Sequence, residues 1–186
     1  MDSLSSDAVL VVVDVQNGWD RDIWGRRNNP EAEDNIASLL AIWRKSKRPV
    51  VFFQHMSKNA KSPLYPGQSG NEIKDIVKPL VSEKVFHKSV NSGFIGTGFE
   101  EWLRGRGYTT LVITGITTQH CVSTTARMAG NLGFITYVVS DATVAFEIKG
   151  KDRVIYDPEV VHSVSLATID GEFATVLTTD EIIKIT

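Results

Sequence analysis

Apolar runs of strand length recur along this chain, separated by segments of helical period, and no other feature constrains its fold as much. The runs cover residues 8–13, 49–54, 84–87, 110–114, 134–140 and 173–177, each rich in Val, Ile or Phe. Strands that are apolar throughout, rather than on alternate residues, are buried on both faces, as in a parallel sheet covered by helices on each side. The expected class is therefore α/β: a three-layer, doubly wound, six-stranded, mostly parallel sheet with helices on both faces. Between the first two runs, Asn29-Pro30-Glu31 offers an N-cap, a first-turn proline and an acid at the positive helix end. Ile36, Leu39, Leu40 and Trp43 follow at helical spacing. Further helices are expected over 99–106, 119–132 with Gly133 as the C-terminal cap, and 157–169.

A chain of 186 residues fits one domain, 1–186, with no repeat, low-complexity tract or linker. Its 42% hydrophobic and 23% charged residues exclude disordered, collagenous and membrane classes. With 20 Lys+Arg against 22 Asp+Glu the net charge is -2, so no basic field is available for phosphates and nucleic acid is not an expected partner. Residues 1–8 carry Asp2 and Asp7 and no basic segment, and the run 8–13 is far shorter than a membrane span. A cytoplasmic protein with no membrane partner is the expectation.

Two long loops, 16–29 and 55–70, follow strand C-termini, where ligands collect in open α/β sheets. Asp14 ends the first strand, either as a turn or cap aspartate or as a carboxylate facing a pocket. Cys121 is the single cysteine, which rules out an internal disulfide or a Cys-based zinc cluster. It follows Gly115-Ile116-Thr117-Thr118-Gln119-His120 directly after a strand and, with Thr118 as N-cap, stands in the first turn of a helix. There the helix dipole and free N–H groups would lower the thiol pKa and favour a nucleophile. Free cysteines are more often small core hydrophobes, but the Gly- and Thr-rich turn favours the chemical reading. Lys88 follows the short third strand, and taken singly most lysines are merely solvated.

Taken in order, three stretches resemble the isochorismatase-like cysteine hydrolases. They are Val11-Val12-Val13-Asp14-Val15-Gln16, then Lys88-Ser89-Val90-Asn91-Ser92-Gly93-Phe94 with Gly96-Thr97 behind it, then Gly115 to Cys121 followed by Val122. The resemblance runs over about 8–179 and includes Thr125-Ala126-Arg127 and Asp141-Ala142. It implies that Asp14, Lys88 and Cys121 form a catalytic triad in which Asp14 accepts the thiol proton, the sulfur attacks a carbonyl carbon and Lys88 compensates the charge. It implies a thioester on Cys121, an oxyanion hole from the N–H groups of Thr117 and Cys121, and a cis peptide at Ile116–Thr117.

Related nicotinamidases carry an Asp-x-His pair and a further His for a metal. Here the matching stretch is Phe53-Gln54-His55-Met56-Ser57, and the other histidines, His87, His120 and His162, show no ligand spacing. No metal and no cofactor are expected. Because vinyl-ether-cleaving isochorismatases generally lack the cysteine, Cys121 directs the reading to the branch that cleaves C–N bonds of small amides, carbamoyl or ureido compounds. Isochorismate-type hydrolysis is the alternative. Gln16, Trp19, Trp24, His55 and Phe94 are candidate substrate contacts through hydrogen bonding and stacking, each equally able to serve packing. Arg26 and Arg27 could attract a substrate carboxylate or form only a solvated face. A noncatalytic binding protein of this fold and a redox-sensing thiol are the other readings, the latter lacking a resolving cysteine. The resemblance implies a homodimer or homotetramer, to which Trp102 could contribute.

Overall fold

All five residues of β1 (Val9–Val13) are buried, as a strand with no polar side chain requires. The structure, a computed structural model, describes residues 3–186; Met1 and Asp2, part of the segment read above as lacking a leader, lie outside the described residues. After β1 come α1 (Ala32–Lys45), β2 (Val50–His55), β3 (Lys84–Lys88), α2 (Phe99–Arg104) and β4 (Thr110–Ile116). The second half contains α3 (Ser123–Asn131), β5 (Ile135–Val144), β6 (Ile148–Lys149), β7 (Ile155–Tyr156), α4 (Pro158–Ala167), β8 (Thr175–Leu177) and α5 (Thr179–Ile185).

Six strands form one sheet in the order β3-β2-β1-β4-β5-β8, and every adjacent pair is parallel. The chain winds outward from β1 through β2 to β3, then returns to lay β4 on the other side of β1. That reversal creates a crevice at the carboxyl ends of β1 and β4. Alternate β1 residues face opposite cores: Leu10 and Val12 pack with Ile36, Leu39 and Trp43 of α1 and Ile182 of α5. Val9, Val11 and Val13 pack with Phe99 of α2, Ala126 and Ala129 of α3 and Leu166 of α4. Helices therefore cover both faces, each fully buried aliphatic or aromatic side chain contributing about 1.5–3 kcal/mol. Among the described residues no helix is long and apolar enough to cross a membrane.

Several boundaries differ from expectation for local reasons. Helix α1 begins at Ala32 with Glu31 as its N-cap, because the expected cap, Asn29, donates its amide to Ser140 O and Thr143 O of β5 instead. Cys121 lies in a π-helical turn, Thr118–Val122, with Thr117 rather than Thr118 as the N-cap. The 119–132 helix is thus that turn followed by α3, whose small side chains allow Gly130 to sit where a Cβ would come within 2.6 Å of Phe173 O. Asp157 caps α4, accepting from Glu159 N at 3.0 Å, so the helix expected over 157–169 runs from Pro158 to Ala167. The fifth strand runs on to Val144, and the sixth starts at Thr175 rather than residue 173. The β6–β7 hairpin and α5 were not expected, although Thr178 and Glu181 form a reciprocal capping box at the start of α5.

Candidate active site

Four neighbouring strand ends converge on one place. Asp14 follows β1, His55 ends β2, Lys88 ends β3, and the Gly115–Cys121 stretch leaves β4. Gly115 makes the β1–β4 approach possible: its φ is +122°, and a Cβ there would lie 2.0 Å from Val13 O. Asp14 itself has a φ of 52°, a left-handed conformation that Asp tolerates better than most residues. The Ile116–Thr117 peptide is cis, as the resemblance implied.

Lys88 Nζ donates to Asp14 Oδ2 at 2.5 Å and to Val90 O at 3.2 Å, and the side chains of Lys88 and Asp14 are both wholly out of solvent. Burial alone would lower the Lys88 pKa, but the Asp14 carboxylate and Cys121 more than offset it, holding the ammonium above its ordinary value. Asp14 Oδ1 is buried without a hydrogen-bond partner. One ligand-type atom each of Asp14, His55 and Cys121 lies within 4.8 Å of the others. Burial pushes the Cys121 thiol well up, and the nearby Asp14 carboxylate pushes it further than Lys88 pulls it down. Burial and the Asp14 carboxylate thus act against the helix-terminus lowering expected for this thiol.

The sulfur opens into a cavity of about 290 Å³, near the lower end of the usual ~300–1,000 Å³ for ligand sites. Trp19, Trp24 and His55, expected as contacts, all line it, joined by Thr117 and Cys121. The indole N–H of Trp19 donates to Asp14 O at 2.7 Å and that of Trp24 to Gly18 O at 2.8 Å, so both rings offer the cavity only their carbon surfaces. They lie 4.7 Å apart and continue onto Phe146. Burial lowers the His55 pKa, opposed by Asp14 and reinforced by Lys88, so the imidazole is neutral and its Nδ1 is buried without a partner.

Gln16 and Phe94 lie outside this lining. Gln16 is wholly buried; its amide donates to His55 O and Asn71 O and accepts from His55 N, clamping β2 to the 69–71 turn. Phe94 packs on Phe99 and Phe134 in the core beneath α2 and α3. Arg26 is held by Glu147 and Asp157, and Arg27 makes a bidentate pair with Glu33, so neither projects into the cavity. Ser62, Leu64, Asn91 and His120 line it without having been singled out as contacts. Ser62 and Leu64 lie in the long 55–70 loop, and Asn91 sits three residues beyond Lys88, which are the signals that could have found them.

Asp14, His55 and Cys121 offer oxygen, nitrogen and sulfur, a donor set suited to a borderline transition ion. The spacing of these residues in sequence gave no sign of that convergence. The Lys88 ammonium on the same carboxylate sets a positive charge against any cation there.

Residues 8–181 match the Isochorismatase domain. The isochorismatase family protein YrdC of Bacillus subtilis is 51% identical over 175 residues, 94% of each chain. A crystal structure of a hydrolase of the isochorismatase family from Chromobacterium violaceum superposes with a TM-score of 0.96 at 37% identity, covering 100% of this chain and 96% of that one. The ureidoacrylate amidohydrolase RutB of Pseudomonas savastanoi is 32% identical over 136 residues, 73% of this chain and 51% of the relative. With the domain matched across nearly its whole length and the fold shared with solved members, the chain belongs to the isochorismatase family of hydrolases.

Proposed function

We propose that this protein is a cysteine hydrolase that cleaves the C–N bond of a small amide, carbamoyl or ureido compound through a thioester on Cys121. The observation that carries the reading is the cluster at Cys121: its sulfur lies within 4.8 Å of a carboxylate oxygen of Asp14, which has one unpartnered oxygen and is paired with the buried Lys88 ammonium. RutB, whose name assigns it ureidoacrylate, supports a C–N substrate at a distance.

The chemistry follows from the resting charges. A neutral thiol attacks poorly, so the Cys121 proton passes to Asp14 as the sulfur approaches the substrate carbon. The carbonyl π bond opens onto oxygen, and the N–H groups of Thr117 and Cys121 are the proposed donors to that oxyanion. Lys88 pairs with the Asp14 carboxylate before the transfer and offsets the negative charge that then sits on sulfur. Collapse of the tetrahedral species breaks the C–N bond, and Asp14 returns its proton to the departing nitrogen. Asp14 then takes a proton from water, whose oxygen attacks the thioester; the acid leaves and the thiol is restored. Each proton taken by Asp14 is returned, so the cycle consumes only substrate and water.

Ammonia release from a panel of primary amides, ureas and carbamoyl compounds tests this, run beside Cys121→Ala. Release by the native protein that falls to background in the variant, with an acyl adduct on Cys121 seen by mass spectrometry after acid quench, is the expected result. Release that persists in Cys121→Ala would sink the thioester route, and release from no compound would return the noncatalytic binding reading. The vinyl-ether alternative finds no specific support, since neither Arg26 nor Arg27 is free to hold a carboxylate-bearing substrate.

A further inference from the structure

We infer that the cavity selects uncharged substrates: its occupant is a small, flat amide or urea carrying no carboxylate, and acid-bearing analogues are excluded. This rests on the hydrolase reading and narrows it, because the known chemistry of a thioester route is indifferent to charge elsewhere on the substrate.

The walls carry the argument. Trp19, Trp24 and Leu64 present carbon surface, while Ser62, Asn91 and Thr117 present neutral hydrogen-bonding groups. His55 and His120 complete the lining, and burial favours the uncharged imidazole at both. Among the described residues that line the cavity none is Arg or Lys. Several cations of the surrounding segments are already committed, and Arg21, Lys58 and Lys61 of the two long loops are exposed and lie outside the lining. Arg27 is bidentate on Glu33, Lys74 bridges Glu33 and Asp20, Arg26 holds Glu147 and Asp157, and Lys88 is locked on Asp14.

A substrate carboxylate entering this space would exchange water for indole faces with no cation to receive it. It would also approach the Asp14 carboxylate, one oxygen of which has no hydrogen-bond partner. An ion buried without a partner is disfavoured far more strongly than a neutral polar group that finds one hydrogen bond. An uncharged flat molecule meets the opposite balance: its face stacks on the Trp19–Trp24 wall, and its polar edge meets the neutral hydrogen-bonding groups of Ser62, Asn91 and Thr117. Asn91 is exposed at the rim, where the lining could be given a charge without disturbing the core.

The probes are a matched pair, benzamide and 4-carbamoylbenzoate, which differ by one carboxylate at the far edge of the ring. Binding to Cys121→Ser, followed by indole fluorescence of Trp19 and Trp24, reports charge selection without turnover. Ammonia release by the native protein reports it with turnover. The expected result is binding of benzamide at least about 100-fold tighter than binding of the acid, a gap of about 2.7 kcal/mol. Equal binding of the two, tighter binding of the acid, or binding of neither overturns the inference. Benzamide that binds yet releases no ammonia counts against the hydrolase reading and leaves charge selection standing. Asn91→Arg supplies the missing cation and is expected to raise affinity for the acid at least tenfold relative to affinity for benzamide. No recovery would mean that something other than the uncharged lining excludes the acid, and would also overturn the inference.

Discussion

Lys88 Nζ donates to Asp14 Oδ2 at 2.5 Å with both side chains out of solvent, leaving Oδ1 of the same carboxylate buried and unpartnered. Two residues 74 positions apart therefore make one dipolar unit with one carboxylate oxygen left free. Removing one member strands a charge, which costs about 3–5 kcal/mol for a buried pair, whereas removing both does not. Lys88→Met should accordingly lower unfolding stability by that amount in urea titrations. The double variant Lys88→Met with Asp14→Asn should lose clearly less than the sum of the singles. Additive losses would mean that the pair is not coupled.

Asp14 also sets the state of the sulfur. Burial raises the Cys121 pKa first, and the negative charge of Asp14 raises it further. Asp14→Asn removes that second contribution, so the thiol pKa should fall and alkylation by iodoacetamide at pH 7–8 should speed up even as hydrolysis is lost. Lys88→Met works with the opposite sign, raising the thiol pKa and slowing alkylation. Rates measured across a pH series separate this arrangement from a thiol activated by its helix position, for which Asp14→Asn would leave the rate unchanged.

The fold was readable because six apolar runs mark the six strands of the sheet and helical spacing marks most of the cover. What escaped had little periodic signal: β6 and β7 are two residues each and largely exposed, and α5 is seven residues long. At the site, strand ends and the family resemblance located Asp14, Lys88 and Cys121. Side-chain direction was not legible. Gln16 and Phe94 have the right chemistry for contacts, yet the first is consumed by backbone groups of β2 and the second by aromatic packing. Nor could residue order show that Arg27 would be spent on Glu33, a pairing that depends on how the 16–29 loop crosses α1.

Gly115 should tolerate no side chain. Any Cβ there would meet Val13 O at 2.0 Å, and the φ of +122° is one that L residues rarely adopt. Gly115→Ala must push β4 away from β1 at the point where Asp14 and the cysteine turn are set side by side. A loss of roughly 2–4 kcal/mol is expected from strain and overpacking together. Activity should drop in the fraction that remains folded, and a variant of wild-type stability would contradict the close approach.

Glu33 predicts an acid-side limit to stability. Burial favours its neutral form, but hydrogen bonds from Arg27 and Lys74 outweigh that and hold the carboxyl at about 2 against an ordinary 4.5. A carboxylate whose pKa is lowered by folding stabilises the protein above its unfolded pKa and loses that contribution as pH falls through the folded one. The window is therefore from about pH 4.5 down to about pH 2. At about 1.4 kcal/mol per pH unit the ceiling is about 3 kcal/mol, and partial solvent access near the α1 terminus brings the expectation to about 2 kcal/mol. Glu33→Gln should lose that much at pH 7, with the gap to the native protein narrowing steadily below pH 4.5 in thermal unfolding. Because Arg27 anchors the loop bearing Trp19 and Trp24, the same substitution should raise KM more than it lowers kcat. A gap that stayed constant from pH 7 to pH 2.5 would show that the carboxylate is not the group holding that loop to α1.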